Sequence, residues 1–576
     1  MKPTLVFRLQ LAQNLAWMTL FSAQVLAAPT NLTQLAFVKA SNTGANDQLG
    51  YSVALSGNTM VVGAPQESGS SSGVNGPDND SLYQAGAASV YVSDGTNWTQ
   101  QAYLKASNPD SQDFFGWSVA ISGDTIVVGA YGEASNATGV NGNQGNGGFP
   151  GMGAAYVFVR SGETWSQQAY LKASNPGQVS FGWSVAISSN TIVVGATGES
   201  SAATGVNGNQ IVSPTNAASA SGAAYVFVRS GSTWSQQAYL KASNTGNNDH
   251  FGQSVAVDAD TIIIGAEGER SDADGINGNQ ADNSLSNVGA AYIFFRSDTN
   301  WSQQAYVKAS NSDANDNFGW TVAISGDTAI VGAYAEASAA TGINGNQTNN
   351  ATLGAGAVYV FTRSGTNWSQ QAYLKASNAE AGDTFGWSVG ISGDYLVVGA
   401  TGEASGLVGD QNDNGRQGSG AAYLFGRTGN NWTQQAYLKA NPQDFGFFGD
   451  VFGHAVATSG DLVGVGAHRE DSNATGINGD AENDSAGQSG AAYIFGNAPP
   501  TPPSVPPSIV SITVTPFQVT LECLGDPDAS YSIERRPDFD NGWGWIGSEI
   551  AQPDGTFFFS DFDVLPNSAF YRLVKE

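Results

Sequence analysis

Between Gln168 and Arg229 the chain reads QAYLKASN (Gln168–Asn175), FGWSVAIS (Phe181–Ser188), NTIVVGA (Asn190–Ala196), a long polar loop, and GAAYVFVR (Gly222–Arg229), with Trp234 just beyond. Each run is short and rich in Val, Ile, Tyr and Phe, and the runs are separated by Gly, Asn, Asp and Ser, which is the pattern of strands joined by turns. Ser184 to Ser188 alternates polar and apolar residues, whereas Ile192 to Ala196 is apolar throughout. A continuous apolar run predicts a strand buried on both faces.

The same unit returns along most of the chain. The glycine of its FG step recurs at Gly50, Gly116, Gly182, Gly252, Gly319, Gly386 and Gly453, at intervals of 66, 66, 70, 67, 67 and 67 residues. Seven units of four strands predict an all-β fold, a seven-bladed β-propeller with four-stranded blades. In an open solenoid of the same repeats the end units would be caps. Here the ends are complementary instead. The last unit stops at AAYIF (Ala491–Phe495), and the chain opens with a lone QLAFVK (Gln34–Lys39). This predicts that the N-terminal strand completes the final blade. The expected organisation is a propeller over residues 31–497, a stiff proline-rich linker over 498–508, and a small β-sandwich-like domain over 509–576.

The repeated Phe-Gly-x-Ser-Val-Ala followed by Val-Gly-Ala, as in FGWSV (Phe385–Val389) with VGA (Val398–Ala400), resembles the FG-GAP repeats of integrin α-subunit heads and of many bacterial surface proteins. The resemblance runs from about Asn31 to Asn497 and implies a seven-bladed propeller used for adhesion or ligand recognition. In calcium-binding blades of that family an Asp-rich loop joins the two motif strands. Here the joint is a bare turn, Ser122-Gly123-Asp124-Thr125 in the second unit, so the family's calcium site does not carry over to it. Bacterial versions with a short hairpin and a long following loop are the closer match.

Residues 1–27 read as an export signal. Lys2 and Arg8 precede a largely apolar stretch from Leu9 to Leu26, and small side chains end it at Val25-Leu26-Ala27. Gln10, Gln13, Asn14 and Gln24 interrupt that stretch, which falls short of a membrane span. A secreted, extracellular or cell-surface protein is expected, with the periplasm as the other destination, and no membrane insertion. The single cysteine, Cys523, forms no internal disulfide. A net charge of −28, from 49 acidic and 21 basic residues, argues against nucleic acid or anionic lipid as partner. A monomeric propeller that binds a protein or glycan ligand is the expected function.

The loop after Val-Gly-Ala holds the candidate chemistry. A glutamate stands three residues past the alanine in every unit: Glu67, Glu133, Glu199, Glu269, Glu336, Glu403 and Glu470. Six units then carry Gly-(Val/Ile)-Asn-Gly. Oxygen ligands around a Gly-bent loop suit Ca²⁺, while glutamates that cap backbone N–H groups and Asn-Gly turns suit a scaffold. Asp410, Asn412 and Asn414 of the sixth unit, with Asp272, Asp274, Asn277 and Asp282 of the fourth, are the metal candidates. A second acid precedes the FG glycine by three residues, as at Asp113 and Asp316, and reads as a turn cap. Lys172, Arg160 and their equivalents recur in register and so are expected to pair within blades. Arg270, Arg416, His468 and Arg469 break the repeat and are the ligand candidates. No His-Glu-x-x-His or Walker pattern is present, so no catalytic residue is assigned, and a carbohydrate-active enzyme on a propeller scaffold or a purely structural envelope or matrix component stand as the rival readings. The repeated Trp98, Trp165, Trp234, Trp301, Trp368 and Trp432 are expected to pack between blades, and Trp543 and Trp545 to pack in the core of the tail, with a carbohydrate-stacking face as the alternative.

Overall fold

In six units the Val-Gly-Ala strand is buried along its whole length, and in the seventh only its first residue, Leu462, is partly open. This is what a continuous apolar run requires. The structure, a computed structural model, describes residues 32–77, 79–145, 147–175, 177–405, 411, 413–440, 449–497, 508–515, 518–524, 530–536, 544–552, 556–561 and 570–575. The expected signal segment, the linker up to Pro507, Asp410, Asn412 and Trp543 lie outside the described residues. The chain divides into two units, Met1–Asn497 and Ala498–Glu576.

The first unit is a seven-bladed propeller of seven four-stranded antiparallel sheets. Blade 3 is typical, with strands Phe181–Ser188, Thr191–Ala196, Ala223–Ser230 and Thr233–Leu240 paired in that order. The first strands of successive blades, which begin at Ser52, Ser118, Phe181, Val255, Thr321, Phe385 and Ala455, lie against one another around the axis, and blade 7 meets blade 1. Blade 7 is completed by Leu32–Val38, which runs antiparallel to Ala491–Asn497 with Leu32 opposite Asn497 and Val38 opposite Ala492. The ring therefore closes by joining the two ends of the propeller, as the truncated last unit predicts.

The motif glycines are explained at the blade contacts. Gly116 sits at φ +93°, and a Cβ there would overlap the Ala87 carbonyl of blade 1. A Cβ on Gly63 would likewise meet the Gly116 carbonyl. The motif serine reaches across the same gap, because Ser52 Oγ donates to Gly116 O at 2.8 Å and Ser118 Oγ to Gly182 O at 2.9 Å. Apolar side chains of neighbouring blades fill the remaining space, for example Val127 and Val157 of blade 2 with Ile192 and Val194 of blade 3.

The repeated charges build the scaffold. Each loop glutamate is buried and meets the lysine that follows the fourth strand of its blade, from Glu133 with Lys172 at 2.6 Å to Glu403 with Lys439 at 3.0 Å. In blade 7 the partner of Glu470 is Lys39, brought in by the closing strand, at 2.6 Å. At the rim, Arg160 pairs with Asp124 at 2.6 Å, lies over Trp165, and donates to Thr59 Oγ1 of blade 1 at 3.2 Å. Trp165 Nε1 donates to Gln101 of blade 1 at 2.8 Å. The same clamp recurs with Arg296, Arg363 and Arg427, and with Arg229, where Asn190 takes the place of the aspartate. The arginine position is Ser93 in blade 1 and Asn497 in blade 7.

The second unit holds two three-stranded sheets, and one core cluster including Leu521, Cys523, Tyr531, Ile533 and Phe557. Trp545 is 66% exposed, which corrects the expectation that it packs in the core. Among the described residues no helix is long and apolar enough to cross a membrane.

Candidate functional site

The FG step enters the first strand at the end of the blade where Val-Gly-Ala leaves the second, so antiparallel pairing puts the long loops and the FG residues on one face. The residue after each FG glycine then points toward the axis. Tyr51, Trp117, Trp183, Gln253, Trp320, Trp387 and His454, with the Ser, Thr or Val side chains behind them, line an axial cavity of about 520 Å³. Behind this wall, and outside the cavity lining, stands the residue after each Val-Gly-Ala, namely Pro65, Tyr131, Thr197, Glu267, Tyr334, Thr401 and His468, of which all but the two tyrosines are buried. Tyr131 fits between Trp117 and Trp183 (ring centroids 4.6 and 5.2 Å), and Tyr334 between Trp320 and Trp387 (4.8 and 5.2 Å). Trp117 meets Trp183 at 5.1 Å, Trp320 meets Trp387 at 5.0 Å, and Tyr51 meets Trp117 at 4.5 Å. Tilted and edge-on contacts of this kind lock the rings in place.

Two places break this wall. In blade 4 the wall carries Gln253 with Glu267 behind it, and His250 Nδ1 lies 2.8 Å from Glu267 Oε1. That hydrogen bond raises the His250 pKa and favours the protonated ring. Glu267 is buried, and its Oε2 has no hydrogen-bond partner. In blade 7 His454 and His468 lie 4.1 Å apart and pack on Tyr51. Burial pushes His454 down to about 4 and depresses His468 as well, so both rings are neutral. Blade 4 lies across the ring from the junction of blades 7 and 1, and the two polar breaks therefore face each other over the cavity.

A model of the FG-GAP repeat matches seven successive segments of this ring, residues 32–91, 98–158, 165–227, 234–294, 301–361, 368–425 and 432–495. The chain belongs to the FG-GAP repeat family. The first match begins at the closing strand. Among solved structures, "Bacteroides ovatus Xyloglucan PUL GH43B" is similar at 10% identity over 94% of this chain and 100% of that one, with a TM-score of 0.23, too low to bear on fold or function. No characterised protein sequence compared with the chain matches it.

Within this FG-GAP propeller the ligand candidates are dispersed. His468 is buried behind the axial wall against His454 and Tyr51, and Arg469 beside it is exposed along a groove with Asp471, Ala45 and Asn46. Arg270 and Arg416 lie in the loops of blades 4 and 6, where the Arg270 carbonyl accepts from Leu285 N–H at 3.2 Å and Arg416 N–H donates to Ala404 O at 2.8 Å. Of the metal candidates, Asp272 and Asp282 share a hydrogen bond at the surface. Asp274 Oδ1 instead accepts from Ser312 N–H and Asn277 Oδ1 from Tyr306 N–H, both at 2.9 Å. Asn141, Asn207 and Asn344 make the bond of Asn277 in their own blades, so this asparagine is a loop strut. Asn414 donates from Nδ2 to Glu380 at 2.7 Å. Among the described residues no three acidic, His or Cys side chains gather as a metal-holding group.

The acids before the FG step cap turns, as their placement predicts: Asp113 Oδ2 accepts from Asp110 N–H at 2.8 Å and Asp316 Oδ2 from Asp313 N–H at 3.1 Å. Burial raises Asp113 and Asp316 to about 8, Asp383 to about 7 and Asp249 to about 6. Sequence reasoning passed over the axial ring itself. Its signal was present, since the x of F-G-x-S varies among Trp, Tyr, Gln and His while the glycine before it stays fixed.

Proposed function

We propose that this FG-GAP propeller is an exported, non-enzymatic binding protein that takes the end of a protein or glycan partner into its axial mouth. One observation carries the reading. The repeat spends its in-register charges on internal pairs and clamps, yet devotes one position per blade to aromatic, amide or imidazole groups around a single cavity. Pockets of that composition, apolar walls with a few polar groups, are the usual form of a ligand site. The acids with raised pKa recur from blade to blade as turn caps, which favours binding over acid catalysis by one unique carboxyl group.

The test is titration of the protein with soluble oligosaccharides and short peptides, followed by tryptophan fluorescence, with product analysis of each saccharide in parallel. Binding that saturates without turnover and disappears in Trp117→Ala and Trp387→Ala is the expected result. Bond cleavage, or binding indifferent to both substitutions, would overturn the proposal.

A further inference from the structure

We infer that the second unit pairs edge to edge with a second copy of itself through the strand Ser508–Thr515. Among the described residues this strand pairs on one side only, with Gln518–Leu524, and so forms an edge of its three-stranded sheet. Across that pair Ile512 lies opposite Leu521 and Val514 opposite Val519, and residues directly opposite in an antiparallel pair share a face. Leu521 and Val519 are 0% and 5% exposed within the core cluster, whereas Ile512 and Val514 on the same face are 53% and 66% exposed. The apolar face of this sheet therefore runs on past what the other sheet covers. Val510, also exposed, adds a third apolar side chain to the open edge.

Natural sheets guard their edges with charge, proline or irregular pairing, because an open edge is a template for another strand. Among the described residues the other three edge strands of the unit follow that rule: Gly544–Ile550 carries Glu549, Thr556–Asp561 carries Asp561, and Phe570–Lys575 carries Arg572 and Lys575. Ser508–Thr515 reads SIVSITVT, with neither a charge nor a proline. Its one irregularity, between Ile509 and Ser511, leaves Ser511 to Thr515 in regular register.

The composition of the strand selects its own copy as the occupant. In an antiparallel pair centred on Thr513, Ile512 of each copy lies opposite Val514 of the other on the core face, and Thr513 meets Thr513 on the outer face. Apolar then meets apolar and hydroxyl meets hydroxyl, and two three-stranded sheets become one of six. Copies of a chain with net charge −28 repel where acidic surfaces meet, so contact between them needs an uncharged strip, which this edge supplies. A basic partner, which the acidic chain would otherwise attract, finds no carboxylate on the strand. One strand edge is a small contact beside the roughly 1,600 Å² of a standard stable interface, so the dimer is weak and depends on concentration.

The deciding experiment is sedimentation velocity of the full chain over a concentration series, in which the dimer fraction should grow with concentration. Val514→Lys and Ile512→Glu should each weaken self-association tenfold or more with an unchanged melting temperature, since both side chains are exposed in the single copy. Mixing the two variants should restore a dimer, because the register sets the substituted positions opposite each other with opposite charge. If one variant fails to fold, the other carries the test. A chain that stays monomeric at every concentration overturns the proposal. A dimer that both substitutions leave intact places the contact on another surface and overturns it as well, and a mixture that stays monomeric refutes the antiparallel register.

Discussion

Removing residues 32–40 takes away the strand that shuts the ring, and its cost can be worked from the residues lost. Phe37 and Val38 are 3% and 0% exposed, and full burial of two such side chains contributes about 4 kcal/mol. Lys39 goes with them and leaves Glu470 buried without its cation, a loss of about 3–5 kcal/mol. The sum of roughly 8 kcal/mol is comparable to the whole stability of an ordinary domain. The truncated protein is therefore expected to lose its cooperative melt by circular dichroism and to be cut rapidly by protease in blade 7. A synthetic peptide spanning residues 31–41, added in excess, should restore part of the transition, because the pairing register from Leu32 to Val38 is fully specified by its partner strand. A truncated protein with an unchanged melting curve would show that the ring is held by its blade contacts alone and refute the reasoning.

Lys172→Met should destabilise the protein by about 3–5 kcal/mol in urea titration, whereas Lys172→Met combined with Glu133→Leu should recover most of that loss, since removing both charges leaves neither one buried alone. Equal losses in the single and double variants would show that the pair is not coupled. Gly116→Ala is expected to cost about 3 kcal/mol or more from its positive φ and the overlap with Ala87, visible as reduced soluble yield and melting temperature. The pH profile follows from Asp113 and Asp316, which titrate at about 8 in the folded protein against 3.8 for an unperturbed aspartate. Between those limits the folded state holds more protons, so their contribution is full at low pH and is lost as pH rises toward 8. His454, lowered to about 4, acts in the opposite sense and withdraws stability as pH falls below 6.5. The melting temperature should rise as pH falls from 8.5 to 6.5 and go on rising less steeply below that, where His454 opposes the two carboxyl groups, and Asp113→Asn with Asp316→Asn should flatten the rise. A profile that falls over the same interval contradicts the burial of these carboxyl groups.

Much of the ring was legible because its requirements are local and repeat. Gly116 and Gly63 are fixed by steric contact with a neighbouring backbone, so they recur at the blade period, and Lys172 and Glu133 recur because each needs the other in the same blade. The closure was legible from the unmatched ends, Gln34–Lys39 and Ala491–Phe495. The axial mouth was harder to read. Trp117, Trp183 and His454 come together only when seven units close around one axis, and no single unit shows that convergence. The loops misled for a related reason: Asn277 and Asp274 have the composition of cation ligands, but each spends its oxygen on a backbone N–H of a nearby strand or turn. In the tail, Trp545 sits on the strand Gly544–Ile550, where Trp545 and Ile546 are adjacent and no polar-apolar alternation marks a buried face.

The clamp of arginine, tryptophan and aspartate does not extend to blade 7, where Asn497 ends the third strand directly opposite Leu32. Force applied between the two ends of the propeller therefore acts on neighbouring residues of one antiparallel pair. It breaks the hydrogen bonds of that pair one after another instead of loading them all together. A ring held by its interlocked blades would thus yield to a modest pull along its own chain, peeling open at one seam and able to reseal when the tension is released.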